Sequence, residues 1–221
     1  MLFRSLAPEN SRQAFEVAID VGADWIETDL RMTADGHIVL FHDDRVGAEQ
    51  VSRLTLAQLR SRREAPVERW DDILPELAGR IGLDIEIKHP GFEAAVVASL
   101  KAEAPEGSFL VSSFDERVLR KVRRLDRSVP TGLILTAHGR GGRLLRGGRS
   151  ACSLLRHAAA DVLIAHAAAI GGRWASAVRR AGIPWHVWTI NAPAQARQMA
   201  DAGAWGIVTD RPDLILDAFP S

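Results

Sequence analysis

The chain has 221 residues, of which 47% are hydrophobic and 25% charged, the make-up of an ordinary globular protein and not of a disordered one. Twenty-eight basic residues balance 28 acidic ones, so no global field draws the chain to nucleic acid or to an anionic membrane, and an anionic ligand must be held locally. One cysteine, Cys152, excludes an internal disulfide framework and fits a reducing compartment.

Helical and β-rich patterns alternate from residue 11 onward. "SRQAFEVAIDVG" places Ala14, Phe15, Ala18 and Ile19 on one helical face behind Ser11 as N-cap, and "ADWIETDL" then turns to strand character. The run "HIVLFHD" reads as an excursion after that strand. "GLDIEIK" (82–88) precedes the helical "GFEAAVVASLKAEA", and "SFLVSSF" (108–114) precedes "DERVLRKVRRL". "TGLIL" (131–135) leads into "AHGRGGRLLRGGRS" and a helix around residues 150 to 160. That glycine- and arginine-rich segment reads as a solvated loop, with a basic rim for phosphate as the alternative. "DVLIAHA", "IPWHVWTI" and "GIVTD" are each followed by a helical segment, ending at "RPDLILDAF".

Strands separated by helices need right-handed crossovers, hence a parallel sheet. So many such units in one domain spanning residues 1–221 predict an α/β fold of the (β/α)8 TIM-barrel class. Polar residues fall late in their strands: Glu27, Asp29, Glu86, Lys88, Ser113, Thr189 and Asp210. In a barrel that end carries the active site. The open-sheet alternative calls for a glycine-rich phosphate loop after the first strand, and the sequence has none. Seven core strands can be named. The eighth belongs before "LAPENS", where too little chain precedes, so the first strand reads as truncated or missing. No repeat beyond the βα unit itself stands out. No apolar run is long enough to span a bilayer, and "MLFRSLAPEN" has no signal-peptide pattern, so the chain reads as cytoplasmic.

Residues two apart in a strand share a face, so Glu27 goes with Asp29, and Asp84 with Glu86 and Lys88. Burying several carboxylates without a cation costs several kcal/mol or forces them neutral. Glu27, Asp29 and Glu86 form an all-oxygen set suited to a divalent cation, Mg2+ or Ca2+; the bland alternative pairs each acid with an arginine. His42 ends an apolar run and is followed by two aspartates that can fix its tautomer, which suits proton transfer. His166 ends "LIAH" at the functional end of its strand and is a candidate substrate contact. His89 reads as a turn residue before a helix or a substitute proton carrier. His37, His138, His157 and His186 are assigned to loops, helix surface or packing. Asp210 reads as an N-cap and as the ion-pair partner of Arg211.

"PENSRQAF", "GADWIETDLRMTADGHIVLFHD", "LDIEIK", "VSSF", "VWTIN" and "GIVTDRPDLI", in that order, resemble the successive motifs of the glycerophosphodiester phosphodiesterases, barrel enzymes related to bacterial phosphatidylinositol phospholipases C. The resemblance implies that Glu27, Asp29 and Glu86 bind the divalent ion, that His42 is a general acid/base and that Lys88 neutralises charge on the phosphate. Trp188 would wall the substrate, with packing as its other reading, and Asn191 would be a polar contact. The implied substrate is a small-molecule glycerophosphodiester and the products are glycerol 3-phosphate and an alcohol. In such enzymes a free glycerol hydroxyl attacks phosphorus while histidines move the protons, and water opens the cyclic phosphate.

The family also has a His-Arg-Gly motif at the end of the first strand. "MLFRS" holds no histidine. The expectation is a start placed downstream of the true beginning. The alternative is a chain that lost one acid/base group, worth about 10²–10⁴-fold in rate, and became an impaired or non-catalytic metal- and phosphate-binding barrel. A lyase-type lipid phosphodiesterase stopping at the cyclic phosphate is the third reading.

Overall fold

The structure, a computed structural model, describes residues 7–136 and 151–219. Its contacts group the chain into two compact units, residues 1–110 and 111–221, divided within the strand Phe109–Ser113. The expected barrel strand ahead of residue 7, the missing-histidine question and the basic segment 137–150 with His138 all lie outside the described residues.

The first unit opens with α1 (Arg12–Asp20), whose N-cap is Ser11 as expected: its Oγ accepts the Ala14 N–H at 3.2 Å. Ala14, Phe15 and Ala18 form the buried face. The chain reverses at Gly22, where φ is 81°, a conformation that favours glycine, and enters β1 (Trp25–Met32). β2 (Ile38–Leu40) folds back antiparallel on β1, pairing Leu30 with Leu40 and Met32 with Ile38. The excursion continues through β3 (Arg45–Val46), β4 (Glu49–Gln50), a 3-10 turn (Val51–Arg53) and α2 (Leu56–Arg60). Val39, Phe41, Val51, Leu54, Leu56, Leu59 and Val67 give it a small core of its own. The Asp35 carboxylate, in the β1–β2 turn, accepts the Leu56 N–H at 3.0 Å and ties that turn to α2. α3 (Trp70–Leu77) buries Trp70, Ile73, Leu74 and Leu77, and the Trp70 Nε1–H donates to Ser99 Oγ at 2.7 Å on α4 (Glu93–Glu103). β5 (Gly82–Ile87) lies parallel to β1. Neither α2 nor α3 is foreseen above, because one turn and two turns of helix are too short to display a period.

In the second unit β6 (Phe109–Ser113) is followed by α5 (Glu116–Leu125), β7 (Thr131–Leu135), α6 (Ala151–Ala158), β8 (Val162–His166), α7 (Gly172–Arg180), β9 (Trp185–Trp188), α8 (Pro193–Asp201), β10 (Gly206–Ile207) and α9 (Pro212–Leu216). Consecutive strands from β6 to β10 pair in parallel. Leu119, Leu133, Leu163, Val178, Trp185 and Val187 belong to its core. Among the described residues the parallel strands are the seven named from the sequence, β1 and β5 to β10.

One α-to-β segment occurs twice. Residues 10–29, "NSRQAFEVAIDVGADWIETD", and 191–210, "NAPAQARQMADAGAWGIVTD", are of equal length and fold alike. Gly22 and Gly203 both have positive φ, 81° and 97°. Their helix ends carry matching bonds, Ala23 N–H to Ala18 O and Ala204 N–H to Met199 O, both at 3.0 Å. Each segment opens with an asparagine that grips the Thr-Asp pair closing the segment, within β1 in the first copy and just past β10 in the second.

That grip corrects the reading of Asp210. Its carboxylate accepts the Asn191 Nδ2–H at 3.0 Å, while Arg211 forks onto Asp213 at 2.7 and 2.9 Å, and no side chain caps α9. Proximity in sequence misled here: the partner of Asp210 comes from the end of the preceding strand.

Candidate active site

The parallel register of β1 against β5 sets Glu27 opposite Asp84 and Asp29 opposite Glu86. Strand alternation then divides the two strands. Ile26, Leu30, Leu83, Ile85 and Ile87 take the apolar face. Glu27, Asp29, Arg31, Asp84 and Glu86 take the other, and Lys88 joins them just past β5, its N–H still bonded to Leu30 O at 3.1 Å.

Within this polar face the carboxylate oxygens of Glu27, Asp29 and Glu86 lie within 4.8 Å of one another. Asp29 is 1% exposed and Glu86 5%. The Lys88 ammonium bridges two of them, 2.7 Å from Asp29 Oδ1 and 2.8 Å from Glu86 Oε2. Asn10 Nδ2–H donates to Asp29 Oδ2 at 2.9 Å.

Electrostatics follow from this crowding. Burial alone would raise the Asp29 pKa, but the Lys88 charge and the hydrogen bonds from Lys88 and Asn10 outweigh it and hold Asp29 below the usual carboxylate range. Lys88, penalised by burial but flanked by two acids, is pushed up. Glu86 is raised to about 7, chiefly by desolvation with a further push from Asp29 and Asp84 against the pull of Lys88. Desolvation and the negative charge of Asp29, Glu86 and Asp84 drive Glu27 well above its ordinary value. Among the described residues four carboxylates, Glu27, Asp29, Asp84 and Glu86, share this face with two cationic side chains, Arg31 and Lys88. Among the described residues Glu86 Oε1 is buried with no hydrogen-bond partner. An all-oxygen donor set with an orphaned carboxylate oxygen fits a hard divalent cation.

His42 stands just past β2. The Phe41 N–H bonds Asp29 O at 2.8 Å, which sets the histidine's backbone beside the end of β1. His42 Nδ1 lies 2.9 Å from Asp43 Oδ1, the orienting partner expected from the sequence, and the ring is partly open to solvent. A cavity of about 300 Å³ adjoins it, lined by Asn10, Phe41, His42, Asp43, Arg63 and Pro66 among others. The Arg63 guanidinium lies over the Phe41 ring, 5.2 Å from its centre.

Sequence reasoning missed Arg31. It is 8% exposed, and its Nε and Nη2 donate to the His42 carbonyl at 3.1 and 2.9 Å while Nη1 reaches Asp44 Oδ1 at 3.3 Å. The alternation that selects Glu27 and Asp29 also selects Arg31, so the signal was present. Asn10, within "PENSRQAF", carries no local signal of its role, since its partners, Thr28 and Asp29, lie too far along the chain for local rules.

The remaining histidines and the tryptophan are placed as follows. His89 Nε2 accepts the Met32 N–H at 3.4 Å, supporting the end of β1. His166 and Trp188 meet edge-to-face in the second unit at 4.9 Å, and Phe114 meets Trp188 at 5.8 Å. His166 Nδ1 accepts the Ala168 N–H at 3.1 Å, and Trp188 Nε1–H donates to Ile164 O at 3.3 Å. His186 is largely buried and its pKa is lowered by desolvation, consistent with packing.

Parallel βα units whose strands gather carboxylates, a lysine and an oriented histidine define a class: α/β proteins with an acidic cluster that could hold a metal ion. The particular family follows from comparison. Residues 3–214 match the model of the glycerophosphoryl diester phosphodiesterase family, and the chain belongs to it. A Bacillus subtilis relative, YhdW, named provisionally as a glycerophosphodiester phosphodiesterase, is 31% identical over 95% of this chain and 92% of its own. The glycerophosphodiester phosphodiesterase of Caldanaerobacter subterraneus is 27% identical over 95% and 91%. A phosphodiesterase of Oleispira antarctica, solved with its product sn-glycerol-3-phosphate, superposes with a TM-score of 0.82 at 22% identity, covering 100% of this chain and 94% of that one. The fold class is therefore the (β/α)8 barrel. No helix among the described residues is long and apolar enough to cross a membrane.

Proposed function

We propose that this chain hydrolyses glycerophosphodiesters to glycerol 3-phosphate and an alcohol, using a divalent cation, Mg2+ or Ca2+, held by Glu27, Asp29 and Glu86. The observation carrying the reading is the convergence of the three carboxylates within 4.8 Å, with one buried oxygen of Glu86 unpartnered and Lys88 among them. When bound, the cation supplies Lewis-acid stabilisation of charge on the phosphate oxygens. Lys88 adds a second positive charge at the same place. His42, oriented through Nδ1 by Asp43, presents Nε2 for proton transfer to or from the reacting oxygen. Arg31 holds the His42 backbone and so fixes where that nitrogen points. His166 and Trp188 are assigned to substrate contact as a packed aromatic pair at strand ends. The lone Cys152 supports a reducing, cytoplasmic setting.

The test is release of glycerol 3-phosphate from glycerophosphocholine and glycerophosphoethanolamine with Mg2+, with Ca2+ and with EDTA, beside a Glu27→Ala variant. Cation-dependent release abolished by the substitution is the expected result. A folded chain that takes up cation but releases nothing would be a binding protein, and accumulation of cyclic glycerophosphate would mark a lyase.

A further inference from the structure

Asn10 is 5% exposed and sits at φ 55°, in the left-handed region that asparagine and glycine tolerate best. All of its side-chain polarity is directed at Thr28 and Asp29 in the middle of β1. Oδ1 accepts the Thr28 hydroxyl at 2.6 Å and the Asp29 N–H at 3.1 Å, and Nδ2–H donates to Asp29 Oδ2 at 2.9 Å. Asp29 Oδ1 is taken by Lys88 at 2.7 Å, so both oxygens of this carboxylate are fixed in direction. An αL backbone together with a short amide that accepts on one side and donates on the other is met best by asparagine: glycine has the backbone without the amide, aspartate the acceptor without the donor, and glutamine the amide on a longer arm.

Resting on the cation reading above, we infer that Asn10 is a positioning residue for the cation site. By holding Oδ2 it sets the rotamer of Asp29 before the cation arrives, so that binding does not have to order this ligand. The second copy of the grip separates this role from a merely structural one. Asn191 Oδ1 accepts from Thr209 Oγ1 at 3.0 Å and Asp210 N–H at 2.8 Å, and Nδ2–H donates to Asp210 Oδ2 at 3.0 Å. The same three bonds thus serve to tie a helix start to the next strand end, and Val208 stands there where Glu27 stands in the first copy. Only the grip on Asp29 acts on a member of the carboxylate triad.

The experiment is calorimetric titration of the whole chain with Mn2+, with urea unfolding of the same samples, for wild type, Asn10→Gly and Thr28→Val. Asn10→Gly keeps the backbone conformation and removes the amide; Thr28→Val removes a bond on the Oδ1 side and leaves the Asp29 carboxylate held. Both lower the urea midpoint. Asn10→Gly is expected to weaken Mn2+ affinity about tenfold or more, and Thr28→Val to leave it unchanged. Equal affinity in wild type and Asn10→Gly overturns the inference, as does an equal loss in both variants. A wild type that takes up no Mn2+ overturns the cation reading and this inference with it. Should Asn10→Gly not fold, Asn10→Asp keeps both acceptor bonds and puts a negative charge in place of the donor; a weakened affinity supports the inference, and an unchanged or tighter one, as an added carboxylate alone would give, overturns it.

Discussion

Without a cation, Glu86 carries a proton that the unfolded chain releases earlier. Its pKa in the native state is about 7, against an ordinary 4.5. Between those values the native state binds more protons than the unfolded state, so stability falls as pH rises, and the contribution is fully present only below the unfolded value. At roughly 1.4 kcal/mol per pH unit the interval is worth about 3 kcal/mol, and Glu27, raised by the same burial, acts in the same direction. Replacing Glu86 by Gln removes this titration while leaving an oxygen for Lys88. The assay is urea unfolding in EDTA, from about pH 5 to about pH 8, for wild type and Glu86→Gln, so that titrating groups remote from Glu86 cancel in the difference. The variant should gain on the wild type by about 3 kcal/mol across that range. Saturating Mg2+ or Ca2+ should then recover stability in the wild type at the alkaline end, by about 2.7 kcal/mol at a hundredfold excess over the dissociation constant. A difference that stays flat with pH, or grows in favour of the wild type, would refute the claim that these carboxylates are held in enforced proximity awaiting a cation.

Other substitutions probe separate parts of the site and its support. Lys88→Met leaves Asp29 and Glu86 without their buried counter-ion; a loss of about 3–5 kcal/mol is expected in EDTA, smaller when Mg2+ is present, as read from urea midpoints. Arg31→Ala frees the His42 carbonyl, and steady-state kinetics on glycerophosphocholine should show kcat reduced by about 10²-fold with KM little changed; a fall confined to KM would mean that Arg31 serves binding instead. Trp70→Ala, which empties a fully buried site and breaks the bond to Ser99, should cost about 3–5 kcal/mol by denaturant unfolding.

The sequence made the triad legible because strand alternation is a strict rule: once "WIETDL" and "LDIEIK" are read as strands, Glu27, Asp29 and Glu86 must share faces, and only the register of the two strands had to be supplied by the fold. His42 was legible because an apolar run ended on it. Lys88 was expected to meet phosphate, but its place between Asp29 and Glu86 depends on side-chain directions that no spacing encodes. Residues 45–81 carry no legible pattern, since their two-residue strands, the single turn of α2 and the two turns of α3 are too short to show a period, and the core around Leu54 and Leu59 forms only when the loop closes. Asp210 was misread because capping rules look a few residues ahead, whereas its partner Asn191 lies a whole helix and turn behind it.

The twice-used segment from asparagine to Thr-Asp shows how chemistry can be written on a frame without altering it. In both copies the helix start, the glycine turn and the strand end are locked by the same bonds, so the residue two places before the final aspartate is a slot whose position the frame guarantees and whose content it leaves open. Glu27 fills that slot in one copy and Val208 in the other. The first copy thereby carries a member of the carboxylate triad, and the second carries an apolar residue in its place. The charge of that one slot, set at a guaranteed address, distinguishes two copies of an otherwise shared frame.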